Sequence, residues 1–223
     1  VFDDIFMRLP VSIKVAFLGM LLATVMGLPL GVLSAVKQYS PADSFLRVAS
    51  TVLVAMPTFW LAMLLILVFA LYLGWLPAGG ALTWQSYILP TITVGVPYGS
   101  KVLRMTRSTM LEEIRQDYVR TARSKGVPEK KVIYGHALKN ALLPVITTIG
   151  SAFGAILGGS VIAESVFNLP GLGSLIVLSI KAKDTPSVLA SVLLLAVFFA
   201  LIMLIVDLVY AFIDPRIKAK YAK

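Results

Sequence analysis

The chain has no cysteine and a single histidine, His136. Disulfides and thiolate metal sites are therefore excluded, and a histidine-built metal centre has too few ligands. Charged residues make up only 14% of the 223 positions. None sits near the middle of an apolar run; Lys14, Glu164 and Asp207 lie toward run ends. An ion-coupled carrier ordinarily needs an ionisable group inside the membrane, so the pattern argues against a proton relay. Also missing is any Gly-x-x-x-x-Gly-Lys-Ser/Thr phosphate loop. The chain is therefore expected neither to bind nor to hydrolyse ATP itself.

What is present is apolar surface. The composition is 58% hydrophobic, with a mean hydropathy of +0.90. Apolar runs of roughly 20 residues read as membrane spans. Five are expected, near 11–36, 48–73, 87–103, 142–163 and 188–213. The expected fold is all-α: one polytopic membrane helical bundle over 1–223, with a cytoplasmic unit at 106–140.

Basic residues orient these spans. Of 20 Lys and Arg, sixteen fall in the 37–47 loop, the 101–139 block and the tail after Ile213. The opposite side holds Arg8, Lys14, Lys181 and Lys183. The block and C-terminus are thus expected in the cytoplasm and residue 1 outside. In such a chain the net charge of +9 reports topology and contact with membrane lipids, not nucleic acid. A start outside leads us to expect an earlier span or signal before residue 1.

Gly19, Ala23, Gly27 and Gly31 recur every four residues, as do Gly150, Gly154 and Gly158; Gly95 and Gly99 form a third pair. Such stripes let helix backbones approach closely, either within one subunit or at a subunit interface. Pro29, Pro57, Pro90 and Pro97 interrupt or flank spans. They either shape the bundle or kink helices along a path.

The 101–139 block is the long polar stretch. Taken as a helix, 114–125 puts Ile114, Tyr118, Thr121 and Ala122 on one face and Gln116, Arg120 and Arg123 opposite. Gly126 permits a turn and Pro128 suits the first turn of a second helix. There Val132, Ile133, His136 and Ala137 align. The expectation is a helix-turn-helix with apolar faces packed together and polar faces open to a partner. Periodicity alone equally admits a basic loop solvated among lipid headgroups.

The run Asp117-Tyr118-Val119-Arg120-Thr121-Ala122-Arg123-Ser124-Lys125-Gly126, followed by His136-Ala137-Leu138-Lys139-Asn140-Ala141-Leu142-Leu143-Pro144, resembles the EAA loop of ABC-importer permeases. That pattern is Glu-Ala-Ala, three residues, Gly, nine residues, Ile, one residue, Leu-Pro. Here Arg120-Thr121-Ala122 stands in the first triplet, Gly126 and Leu138 match, His136 replaces Ile and Lys139 replaces Pro. These departures resemble the dipeptide/oligopeptide/nickel branch. So do Glu164-Ser165-Val166-Phe167-Asn168-Leu169-Pro170-Gly171-Leu172-Gly173 and the ending Val206 to Arg216, which are similar to its "B-type" permease. That subunit carries an N-terminal span and an external region ahead of this core.

The resemblance implies a type I importer-like bundle in the cell inner membrane. It implies a second homologous permease, two ATPase subunits that bind ATP and Mg, and an extracytoplasmic substrate-binding protein. No catalytic, metal or cofactor site is implied in this chain. The implied coupling residues are Asp117, Tyr118, Arg120, Thr121, Ala122, Arg123, Lys125, Gly126 and His136. Closure of the ATPases would drive two permeases between inward-open and outward-open states. Cargo would be di- or oligopeptides, or a related solute such as glutathione or a nickel chelate. The competing class is an ATP-independent channel or carrier, for which the block is only an anchor.

Several residues carry two readings. Arg120 and Arg123 meet either an ATPase or headgroups. His136 reads as a structural hydrogen-bonding residue. Asn168, Pro170, Gly171 and Gly173 form either a re-entrant or external turn near the pathway mouth or a plain loop. Glu164 either pairs with Lys181 or Lys183 or meets the binding protein.

Overall fold

The computed structural model describes residues 2–213. The ending Asp214-Pro215-Arg216 and the basic residues Lys218, Lys220 and Lys223 lie outside them, and the side chain of Asp207 is likewise not described. All regular structure among the described residues is helical.

The first helix, α1 (Phe2–Val36), begins well before the expected span at residue 11 and runs unbroken through Pro10 and Pro29. Pro29 lies on the exposed face, where its ring stays clear of the buried stripe and only the Val25 carbonyl loses its helical donor. The expected second span is broken. Helix α2 (Pro41–Ala55) and helix α3 (Thr58–Leu65), prolonged by a π-helical segment Ile66–Tyr72, meet at 103°. The break is local chemistry: Met56 precedes Pro57 and takes an extended backbone (φ −68°, ψ 127°), because the proline ring disfavours helical geometry before it.

Helix α4 (Ile88–Ile114) runs eleven residues past the expected span end at 103, so the charged block begins as the last turns of a bundle helix. A short helix, α5 (Asp117–Ser124), follows. Next, α6 (Glu129–Lys131) passes through a π-helical turn, Val132–Ala137, into α7 (Leu138–Val166). Two further helices are α8 (Leu172–Lys181) and α9 (Thr185–Ile213).

Length and composition suit three stretches for crossing a membrane: Phe2–Val36, Glu129–Val166 and Thr185–Val206. The bent pair makes a fourth. The remaining expected span, at 87–103, falls in α4. Its 27 residues reach about 40 Å, but Lys101, Arg104, Arg107, Glu112 and Glu113 crowd its second half. It is therefore not among the described helices apolar enough to cross a membrane, and its inward side, with Leu89, Val94, Val102, Leu103 and Met110, is buried in the bundle.

The glycine stripes act within the subunit. A Cβ on Gly27 would stand 2.5 Å from the Gly99 carbonyl oxygen of α4. On Gly31 it would meet Thr106, and on Gly95 the Gly19 carbonyl at 2.9 Å. Backbone of α1 therefore lies directly on backbone of α4. Gly150 and Gly154 likewise admit Val206 and Phe199 of α9. Gly158 meets nothing within 4 Å and faces outward.

Two apolar cores result. One gathers Val15, Ala62, Tyr87, Leu89, Ile156, Phe167 and Leu169 at the end where α1 begins. The other gathers Val32, Ala35, Met110, Val119, Ala122, Val132, Ile133, Ala137 and Ala141 at the end where α1 and α4 finish. The 37–47 loop and the charged block therefore share one end of the bundle, as their common charge led us to expect.

Candidate functional site

The block is built on that second core. Arg115 and Gln116 leave helical continuity, and α5 starts afresh at Asp117. This restart rotates its faces relative to the continuous helix expected from 114. Val119, wholly buried, and Ala122 point inward. Tyr118 and Thr121, expected on the packed face, are exposed, as are Asp117, Arg120, Lys125 and Ser124. Burying one valine contributes roughly 1.5–3 kcal/mol, enough to seat an eight-residue helix that would not persist alone.

The turn after α5 closes with a full set of hydrogen bonds. Gly126 takes φ +75°. Its N–H donates to the Arg123 carbonyl at 2.9 Å, and the Val127 N–H donates to Ala122 at 3.2 Å. This is a Schellman closure with glycine at the left-handed position, and Val127 packs on the same core. Pro128 caps the following helix from just outside its first turn, with its carbonyl accepting from Val132 at 3.0 Å.

Arg123 spans the turn. Its Nε and Nη2 donate to Glu129 at 3.1 and 2.7 Å, a fork of two parallel contacts. Arg120 instead lies 3.7 Å from Asp117, and their side chains are 72% and 97% exposed. So loose an exposed pair contributes little, which leaves Arg120 open to a partner. The two arginines, grouped together from the sequence, occupy different environments.

The second half of the expected helix-turn-helix is not a separate helix. Val132, Ile133 and Ala137 are buried as expected, while His136 is only half-buried. The segment continues through the π turn into α7, so Glu129–Val166 is one 38-residue stretch. Through Val119 and Ala122, α5 packs against the root of this long helix.

The far end of α7 holds Glu164, which is fully buried. It pairs with neither Lys181 nor Lys183 and is not accessible to another protein. Its carboxylate accepts from Ser160 Oγ at 3.0 Å and from the N–H groups of Gly173 and Ser174 at 2.7 and 3.2 Å. Those N–H groups belong to the first turn of α8, and Ser12 of α1 accepts the Leu172 N–H at 2.8 Å. Glu164 and Ser12 thus cap α8 from outside it. Asn168 takes φ +49°, and the Leu169 N–H donates to the Glu164 carbonyl at 2.8 Å, closing α7. Pro170 follows and cannot continue the helix. A Cβ on Gly171 would strike the Glu164 carboxylate, and one on Gly173 would lie 2.4 Å from Val161 Cα. The Asn-Leu-Pro-Gly-Leu-Gly run is therefore a tight turn, and α8, at ten residues, is too short to cross a bilayer.

A polar cluster that sequence reasoning missed joins α1, α2 and α4. Asp43 is 1% exposed and receives Arg107 Nε and Nη2 at 2.7 and 2.8 Å, the Ser34 hydroxyl, and the Tyr39 N–H at 3.1 Å. The buried carboxylate is thus paired on both oxygens by the Arg107 guanidinium. Ser40 and Pro41 followed by Asp43 carry a helix-start signature, which was legible. Nothing local pointed to Arg107, sixty-four residues away.

An all-helical apolar bundle with a short charged helix packed at the root of one long helix defines a polytopic membrane protein. The chain belongs to the family of binding-protein-dependent transport system inner membrane components, which it matches over residues 27–219. It is the permease subunit of an ABC importer, a multi-pass inner-membrane protein that works with a second permease, ATPases and a binding protein. Among relatives, the glutathione transport system permease protein GsiC of Escherichia coli K12 is 41% identical over 218 residues, covering 98% of this chain and 71% of the relative. GsiC of Salmonella paratyphi A gives the same identity and coverage. The fold is similar to that of the MetNI methionine ABC transporter in an inward-facing conformation, with TM-score 0.78, 17% identity, and coverage of 95% and 96% of the two chains. An amino acid ABC transporter crystallised with histidines gives TM-score 0.68 at 16% identity, covering 96% and 94%.

Proposed function

We propose that this chain forms half of the path for a peptide-class solute: a di- or oligopeptide, glutathione or a nickel chelate. A homologous permease supplies the other half. The 41% identity to relatives named for glutathione transport supports this class, and glutathione is the first candidate we would test. Residue 1 is read as extracytoplasmic and the basic end of the bundle as cytoplasmic.

The observation that carries the mechanism is α5, seated on Val119 and Ala122 with its outer face open. In this reading Asp117, Tyr118, Arg120, Thr121 and Lys125 meet a cleft of an ATPase subunit. Ala122 and Gly126 set the angle at which α5 is presented, and Arg123 holds the turn through Glu129. His136 lines the π turn, through which displacement of α5 reaches α7. ATP and Mg belong to the partner ATPases, and this chain performs no hydrolysis. The helical stretch Glu129–Val166 carries that displacement without an intervening loop, and the π turn and Pro144 are the points at which it can bend.

The test is reconstitution of the native complex in vesicles, with ATP hydrolysis and uptake measured together. Glutathione, a dipeptide and a nickel chelate are each offered with the binding protein. Stimulated hydrolysis and uptake by one of them are expected. Uptake that persists without ATPase subunits would overturn the coupling role.

A further inference from the structure

The outer side of α2 carries two clefts that the transport reading does not use. The first, about 260 Å³, lies between α2 and α4 and is lined by Arg47, Ser50, Thr51, Arg104, Arg107 and Ser108. Arg107 is neutralised by Asp43, but Arg47 and Arg104 have no carboxylate partner among the described residues. The hydroxyls of Ser50 and Thr51 are spent on the Arg47 carbonyl. Donors left for a ligand are therefore guanidinium N–H groups and Ser108. The second cleft, about 500 Å³, is lined by Val52, Ala55, Met56, Pro57, Phe59 and Trp60, all apolar. Arg47, Thr51 and Ala55 follow at i, i+4 and i+8, so the two clefts open along one face of α2. Phe45, Val48 and Val52 leave the surrounding surface apolar and exposed.

We propose that this face binds an anionic phospholipid, with its phosphate between Arg47 and Arg104 and an acyl chain in the apolar cleft at the α2–α3 bend. Charge complementarity selects the occupant. Two unpaired guanidinium groups favour phosphate oxygens, and arginine presents its N–H groups in the matching fork. A zwitterionic solute would need a free carboxylate for its amine, and this lining offers none. The bend supplies the rest: because Pro57 turns α3 away by 103°, α2 leaves an apolar shelf beside the basic cleft. The site sits at the basic end of the bundle, where anionic headgroups attract arginine by roughly 1 kcal/mol per residue.

The test uses the purified complex in detergent, titrated with phosphatidylglycerol or phosphatidylcholine and read by native mass spectrometry. Phosphatidylglycerol is expected to be retained more tightly than phosphatidylcholine. The double variant Arg47→Gln/Arg104→Gln should lose about thirty-fold in that affinity, from two charges. Both side chains are exposed and lie outside the Asp43–Arg107 pair, so folding should be unaffected; Lys37→Gln, outside the cleft lining, serves as control. A third arm offers soluble glycerol phosphate. Equal retention of both lipids, or an unchanged double variant, would overturn the proposal. Displacement of the lipid by glycerol phosphate at matching concentration would overturn the acyl-chain part and leave an anion site.

Discussion

Exchanging the charges of Arg123 and Glu129 separates two roles that a single substitution confuses. The pair is bidentate at 3.1 and 2.7 Å, with side chains 38% and 58% exposed. Exposed pairs contribute about 0.2–1 kcal/mol, and the fork geometry argues for the upper end. Arg123→Glu removes that contribution and sets two carboxylates together, which adds a similar cost. The turn should therefore lose about 1–2 kcal/mol, a five- to thirty-fold shift from docked toward undocked α5. Burial of Val119 remains, so α5 loosens without leaving the membrane protein unfolded. Hydrogen exchange over 117–126 in the reconstituted complex reads the loosening, and substrate-stimulated ATP hydrolysis reads the consequence. The exchanged pair Arg123→Glu/Glu129→Arg restores the ion pair with reversed polarity. If Arg123 serves the turn, both protection and hydrolysis return. If Arg123 touches the ATPase directly, protection returns and hydrolysis does not. Unchanged exchange in the single variant would refute the claim that the pair holds α5.

Gly126→Val should strain the φ +75° turn by at least about 1–2 kcal/mol, without any clash, since no atom lies within 4 Å of the added Cβ; coupling measured as stimulated hydrolysis should fall while membrane abundance holds, and Gly126→Asn should be milder. Glu164→Ala orphans the Gly173 and Ser174 N–H groups and should cost about 3–5 kcal/mol, seen as faster exchange in the first turn of α8. Glu164→Gln should cost only about 1 kcal/mol, because its carbonyl oxygen still accepts from both. Gly27→Val drives a side chain into the Gly99 carbonyl and should lower the thermal midpoint, whereas Gly158→Ala should be silent unless a second subunit packs there. Cysteines placed at Gln85 and Ser124, both exposed in this cysteine-free chain, should label from opposite sides of sealed cells; labelling of both from outside would refute the proposed topology.

The covalent sequence by itself determined that the chain is a helical membrane bundle, because long apolar runs have one favourable backbone solution in lipid. It also determined the turn at Gly126 and the end of α7 at Asn168–Pro170, because left-handed geometry and proline act within a few residues. Burial of Val132, Ile133 and Ala137 was legible for the same local reason. Tertiary structure alone decided the rest. The buried face of α5 depends on where the helix restarts, and a two-residue interruption at Arg115–Gln116 was enough to put Val119 inside in place of Tyr118. The 103° bend at Pro57 was marked by a proline, but its size depends on how α2 and α3 each pack on the bundle. Arg107 with Asp43 is a union across the chain fold, whereas Arg123 with Glu129 and Glu164 with the first turn of α8 each close over a single turn. Each partner was visible as a charged or polar residue. Which charge meets which is set by where each helix stops at its turn and, for Arg107 with Asp43, by how α2 packs on α4, and periodicity alone encodes neither.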